Sequence, residues 1–517
     1  MFISRRMSRL LVVGVLVSAT GGGLVANAQA QNDVRVTILA GTVRDTGGTP
    51  IDTVLVEMLG GAALPTITLE NGFYFLVSLN RPGDDATVRF THDGFMRTLK
   101  RLPAQDQTTT VIRLDAVMKR TGAVQPIPLD TTTTVSEDTT KITVEPGDLV
   151  DADEGTLTGN ANVCVTPIDP SGGEIDLFPG FAASKGGQDI MIESFAAVDI
   201  EIMQGDQPAN IASGKTLKVE FPIPDARQNQ FTVGETLNDF LWSLNETTGV
   251  WEEGLSVTVD VSTTDPTKKA FFAEVPHLST WNCDRPFQTT CLTGRVVDLS
   301  TGSGIPGAVV RAEGLDYSGR TVRVTDAEGK YCIPVKSGAQ VRLTADAIGF
   351  TSAPLGVDSP ADLGSCRSGN CQSANDLVID PIGRTGCISG TVYSELGLPP
   401  FPTAVIFTDS FTWTQTDAAG RFCLPVQPNP ALRVMVVDPT SVLISGEAKS
   451  TELTLSVPDG DARCGVSNEG CVSVTVGEPL PPEALGQCGQ CGSGTAVMAP
   501  GVLAAFLTVR RRRRRRR

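Results

Sequence analysis

Hydrophobic positions along this chain fall in short runs with a period of two. Val34, Val36 and Ile38 alternate with Arg35 and Thr37, the pattern of a strand with one buried face. Val43 has the opposite parity, which predicts a bulge or kink near Gly41. A turn at Asp45-Thr46-Gly47-Gly48 leads past Pro50 to a strand over residues 53–58, and further strands are predicted over 86–90 and 109–114. Glu70-Asn71-Gly72 separates Thr66-Ile67-Thr68 from the run 73–77, and Asn-Gly between two β-rich runs predicts that they pair as a hairpin.

The pattern then returns. Ile38-Leu39-Ala40-Gly41-Thr42-Val43 reappears as Cys291-Leu292-Thr293-Gly294-Arg295-Val296 and as Cys387-Ile388-Ser389-Gly390-Thr391-Val392. Gly72-Phe73-Tyr74-Phe75-Leu76-Val77 reappears as Gly329-Lys330-Tyr331-Cys332-Ile333-Pro334-Val335 and as Gly420-Arg421-Phe422-Cys423-Leu424-Pro425-Val426. Three copies of one module therefore organise most of the chain. A length of 517 residues accommodates several domains, and the richness in Gly (53) and Pro (33) with only 5% aromatics suits short strands and many turns. The expected fold class is all-β, a tandem array of β-sandwich domains.

The repeats also share a finer order: Gly-x-Val, a turn, a proline before an apolar strand (Pro50, Pro306, Pro402), and a Thr-Asp-x-x-Gly phrase at Thr325-Asp326-Ala327-Glu328-Gly329 and Thr416-Asp417-Ala418-Ala419-Gly420. With the aromatic-containing turn Thr91-His92-Asp93-Gly94-Phe95, this order resembles the carboxypeptidase regulatory-like domain, a seven-stranded prealbumin-like sandwich. The first copy departs from it at Leu69, where that family favours Asp. The resemblance implies such modules over 33–118, 290–382 and 385–476. Residues 119–140, rich in Thr and Pro, read as a linker. Residues 141–286 resemble the extracellular β-sandwich that accompanies regulatory-like modules in bacterial surface proteins and in cartilage intermediate layer proteins. Trp242, Trp251 and Trp281, each in an apolar or β-rich context, are expected to anchor its core.

Both ends carry their own patterns. Arg5, Arg6 and Arg9 precede the apolar run 10–17 and the small-residue exit Ala28-Gln29-Ala30, the layout of a signal peptide over 1–30 with cleavage expected after Ala30. At the other end (477–517), Cys488-Gly489-Gln490-Cys491-Gly492 is followed by the apolar stretch 495–509 and eight arginines. That tail resembles the C-terminal sorting signals of bacterial surface proteins, nearest to the cysteine-bearing myxosortase type. The resemblance makes Cys488 and Cys491 candidates for processing. The first thirty residues and the run 486–517 together hold eleven of the 42 basic residues and none of the acidic ones, leaving 31 basic against 58 acidic residues in the body. So anionic a body argues against nucleic acid and anionic membrane as partners, and the only membrane contact expected is through the C-terminal segment.

Cysteine usage fits an exported chain. Four cysteines per later module allow three connectivities. The first module carries Ile38 and Phe75 at the places of Cys291/Cys332 and Cys387/Cys423, an apolar pair in place of two cysteines. That substitution predicts Cys291–Cys332 and Cys387–Cys423, with Cys366–Cys371 and Cys464–Cys471 bonded locally. Cys164 and Cys283, alone in the middle domain, are expected to pair. Zinc is the competing use of such spacings, disfavoured where no second compact pair stands nearby.

Catalysis has little to draw on. His92 and His277 are the only histidines, far apart and neither in a His-x-x-Glu context, so the zinc site of a metallocarboxypeptidase cannot be built from them. No Gly-x-Ser-x-Gly elbow and no phosphate-binding glycine loop occurs. No cofactor is expected. Calcium is the one the composition permits, at Asp148, Asp151, Asp153 and Glu154, though the spacing lacks the EF-hand continuation. The expected function is that of a non-catalytic extracytoplasmic surface protein, structural or for display. Its partners would be the export and sorting machinery and other surface proteins. The alternatives are binding of surface polysaccharide or matrix polymer and, behind it, an accessory to an extracytoplasmic hydrolase.

Overall fold

The computed structural model describes residues 35–479 apart from 61–62, 81–85, 103–108, 172, 348, 363, 381–385, 395–396, 398, 400–403, 439–448, 461–463, 465–467 and 469. The N-terminal segment with Ala30 and the tail with Cys488 and Cys491 lie outside the described residues. Within them the fold is all-β: sheets with two short 3-10 turns and no α-helix. Among the described residues, no helix is long and apolar enough to cross a membrane.

The three repeats share one topology. In each, the strand carrying the repeat phrase sits centrally: Arg35–Asp45, Thr289–Asp298 and Gly386–Val392. Each pairs antiparallel with the aromatic-bearing strand on one side (Phe73–Asn80, Lys330–Lys336, Arg421–Val426) and parallel with the module's last strands on the other. A second sheet faces it, built in the first module from Thr66–Ile67, Leu55–Leu59, Ala86–Thr91 and Thr98–Leu102 in that order. Leu39, Val43, Val56, Tyr74, Leu76, Val88 and Phe90 fill the space between the two sheets.

Two local expectations for the first module are corrected by this pairing. Arg35–Asp45 keeps a continuous register with Phe73–Asn80, without a bulge at Gly41. The change of parity arises because both faces of the strand are buried. Leu39 and Val43 point into the sandwich, while Ile38 and Ala40 belong to a second apolar cluster on the outer face. Gly41 is needed for a different reason: a Cβ there would stand 2.0 Å from the Leu114 carbonyl oxygen, which receives the Tyr74 hydroxyl at 2.5 Å.

Nor do Thr66–Ile67 and Phe73–Asn80 pair as a hairpin. The first joins Leu55–Leu59 in one sheet and the second joins Arg35–Asp45 in the other, so the Asn-Gly turn is an arch between sheets. A buried threonine fixes it. Thr68 Oγ1 accepts from Val54 N at 2.9 Å and donates to Ile51 O at 2.8 Å. Thr325 does the same for Ala308 N and Ile305 O, and Thr416 accepts from Ala404 N. The following aspartate closes the turn: Asp326 Oδ1 accepts from Glu328 N and Lys330 N, and Asp417 Oδ1 from Ala419 N and Arg421 N. The Thr-Asp-x-x-Gly phrase is thus a corner that ties the residues just before Val309–Gly314 and Val405–Thr408 to the turn leading into the opposite sheet.

The middle domain is a 12-stranded sheet running from Thr133–Glu137 at one end to Gln125–Pro128 at the other. Trp281 lies in its main core, Trp242 and Trp251 in a second cluster with Phe178 and Phe181, and all three are fully buried. Residues 119–140 are not a linker. Gln125–Pro128 pairs with Asn160–Ile168, Thr133–Glu137 pairs with Thr140–Val144, and Ile127 and Val135 enter the core. Threonine is β-branched and suits strands as well as linkers. Pro126 and Pro128 are tolerated because their strand is an edge.

The sandwiches also pack on one another. Ile38, Ala40, Phe73 and Val111 of the first module form one cluster with Val405, Phe407, Met435 and Val437 of the third. Val309, Val322 and Val324 of the second module pack against the first module's core, and Met96 inserts among Phe178, Phe181 and Trp251 of the middle domain.

Candidate functional site

The cysteines show the tightest chemistry in the molecule, and their pairing differs from the expected one. The bonds are Cys291–Cys371, Cys332–Cys366, Cys387–Cys471 and Cys423–Cys464. Register explains why. Cys291 lies opposite Pro334, and Cys332 lies opposite Thr293, so the two cysteines are diagonal neighbours on one face. Diagonal Cβ atoms stand about 7 Å apart, beyond the roughly 4 Å a disulfide spans. The last strand, by contrast, runs parallel to the first with Leu292 beside Gln372, which brings Cys371 next to Cys291 at a Cα–Cα distance of 4.8 Å. The third module repeats this, with Cys387 opposite Pro425 and Ile388 beside Val472. Each short-range pair is thereby split between two bridges.

Cys164 and Cys283 are buried and free. Cys164 lies on Asn160–Ile168 and Cys283 on Thr280–Phe287, and the strand Gln188–Gln204 runs between them. Two inter-strand spacings, about 9.5 Å, exclude a bond. Burial pushes both thiols up, Cys283 strongly, which keeps them unreactive.

The other singled-out residues are dispersed. His92 Nδ1 lies 2.8 Å from Asp93 O and its ring meets Phe95 edge-on. His277 lies tilted against the Trp281 ring, with centroids 4.7 Å apart, in a different domain. Asp151 Oδ1 accepts the amides of Asp153 and Gly155, and Asp148 Oδ2 accepts that of Glu145, so these carboxylates are occupied with their own loop. Ion-pairing to Lys215 at 3.5 Å adds to the use of Asp148. Asp284, beside Cys283, is fully buried, and burial raises its pKa strongly.

Sequence reasoning did not anticipate a cleft of about 480 Å³ where the first module, the middle domain and the second module meet. Lys100 is buried there and donates to the carbonyl oxygens of Asp176 and Phe178. Burial, reinforced by Arg320, brings its pKa down to about 7. Arg320 pairs with Asp176, Arg311 with Asp346, and Arg113 with Asp115 at 2.7 Å. Arg101 and Arg323 complete a rim in which cations outnumber carboxylates. In the sequence Lys100 stands beside Arg101 between Leu99 and Leu102 with nothing to single it out, and its burial is visible only in the structure.

The fold and these sites define a multi-sandwich all-β protein stapled by paired disulfides. Residues 291–362, within the second module, match the family model of the carboxypeptidase regulatory-like domain. A search of curated proteins finds no match. Among solved structures, the chain is similar to BcpA, the major pilin subunit of Bacillus cereus, at 7% identity and TM-score 0.14, covering 67% of this chain and 99% of that one. It is similar to a Streptococcal ancillary pilin at 9% identity and TM-score 0.17, covering 55% and 82%. Similarity to the shaft pilin spaA of Lactobacillus rhamnosus GG is 8% identity and TM-score 0.15, covering 68% and 98%.

Proposed function

We propose that this chain is a non-catalytic extracytoplasmic surface protein whose sandwiches, packed together, act as a rigid body for display or spacing. The observation that carries this reading is the pair of disulfides in each of two successive modules, because such bonds form and persist in oxidising compartments. The signal-like first thirty residues and the three-part tail ending in eight arginines support export followed by sorting at the cell surface. Export and sorting machinery would then be its first partners, with neighbouring surface proteins after them. The first and third modules, which share the second module's topology, read as further regulatory-like domains.

The test is protease shaving of intact cells with non-reducing analysis of the released fragments. Release of disulfide-linked peptides from 290–479 supports the reading; protection of the chain until lysis, with its thiols free, contradicts it. Polysaccharide binding is the second reading, and the cleft around Lys100 favours it because its cationic rim suits an anionic sugar. Selective retention of uronic-acid polymers, lost on Arg320→Ala, would move the assignment from spacer to binder.

A further inference from the structure

The four cysteines of each later module make two bonds and also one cluster. The sulfurs of Cys291, Cys332, Cys366 and Cys371 all lie within 4.8 Å of one another, as do those of Cys387, Cys423, Cys464 and Cys471. Between the bonds, Cys332 and Cys371 approach to 3.4 Å and Cys423 and Cys471 to 3.8 Å. A tetrahedral zinc tetrathiolate with bonds of about 2.3 Å has its sulfurs about 3.8 Å apart along each edge. These unbonded edges are already near that length, and each bonded edge needs to open by roughly 1.8 Å.

The geometry points to a second state of both clusters, in which the reduced cysteines of each module bind one Zn²⁺ or a similar soft divalent cation through four thiolates. Two ligands of each set sit on hydrogen-bonded strand pairs, Thr289–Asp298 with Lys330–Lys336 and Gly386–Val392 with Arg421–Val426, which do not need the bridges to hold register. In each module two equivalents of a dithiol reductant supply four electrons and four protons. The two disulfides become four thiols, and the reductant becomes its own disulfide. Zinc then displaces four protons and leaves a centre of charge −2. The bonded and metal-loaded states exclude each other, so one set of eight cysteines answers to both reductant and metal. Cys366 is exposed, which opens the first cluster to a reductant, while Cys291 is buried behind it.

The test uses the full chain carrying Cys488→Ser and Cys491→Ser, so that the tail adds no thiols. It is reduced with a dithiol, freed of reductant without oxygen, and loaded with Zn²⁺ or Co²⁺. Expected are two Zn²⁺ per chain by native mass spectrometry, retained against a chromophoric chelator, and none in the oxidised protein. Co²⁺ should give the charge-transfer and ligand-field bands of a tetrahedral thiolate centre. Adding Cys291→Ser with Cys371→Ser should lower the stoichiometry to one, and Cys387→Ser with Cys471→Ser should abolish the remainder. Loss of zinc to the chelator by the reduced chain overturns the inference, whether or not circular dichroism shows the strands intact. A stoichiometry that ignores the substitutions overturns it equally.

Discussion

Buried threonines and one buried carboxyl carry the clearest consequences at the scale of single residues. Thr325 Oγ1 serves Ala308 N and Ile305 O inside the second module, and both groups lose their partner in Thr325→Val. Leaving them unsatisfied costs about 2–3 kcal/mol, read as a lower denaturation midpoint of that module with an unchanged slope; a change under about 0.5 kcal/mol would contradict the corner-fixing role of the phrase. Asp199 is a different case. Burial pushes its carboxyl up to about 6, against the pull of the Thr280 hydroxyl that donates to it at 2.6 Å. The folded protein therefore binds this proton more tightly than the unfolded chain, whose carboxyl titrates near pH 3.9. Its contribution to stability is full below that value and is lost as pH rises through about 6. Asp199→Asn keeps the acceptor and removes the titration, so it should stabilise the protein at pH 8 by on the order of 2 kcal/mol and change little at pH 4. Equal shifts at both pH values would contradict this. Residues of this kind were unevenly legible. The three tryptophans could be placed in cores from their bulk and context, and they are fully buried. Lys100 could not, because what buries it comes from two other domains.

At the scale of elements, most strand runs could be read from the alternation, yet which strand each would meet could not. Thr66–Ile67 and Phe73–Asn80 flank an Asn-Gly turn and still go to different sheets, since a buried hydroxyl and the opposite sheet decide the chain's path. The same gap produced the wrong cysteine pairs. The repeat phrase correctly marks Cys291 and Cys332 as neighbours on one face, while the bond goes to the parallel strand, which arrives eighty residues later. Non-reducing peptide mapping should find Cys291 linked to Cys371 and Cys423 to Cys464; a peptide joining Cys291 to Cys332 would refute this strand register. The loops closed are 80, 34, 84 and 41 residues long, for which loop entropy gives about 4 kcal/mol per bridge. Each shorter loop is nested inside a longer one, so removing both bridges of a module should cost less than the sum. Cys332→Ala with Cys366→Ala is therefore expected to destabilise the second module by about 2–4 kcal/mol, measured by denaturant unfolding under non-reducing conditions.

On the scale of the whole molecule, a tandem order in sequence gives way to mutual contact in space. Phe75 meets Phe407 edge-on at 5.4 Å, Phe73 lies 5.8 Å from Phe411, and the Arg113 guanidinium sits 4.5 Å over the Phe411 ring. The outer face that holds disulfides in the later modules is in the first module an apolar surface covered by the third. This also explains the misleading parity of the first strand, because no single-module pattern reveals a partner hundreds of residues away. Phe407→Asp places a charge in that seam and should separate the third module's unfolding from the first's in calorimetry, with each module still folded. Small-angle X-ray scattering of the body spanning residues 31–479 tests the packed arrangement most directly. Mutual packing predicts a radius of gyration below about 30 Å, near the roughly 22 Å of an equally long compact chain. A value above about 40 Å, that of four sandwiches strung end to end, would contradict it.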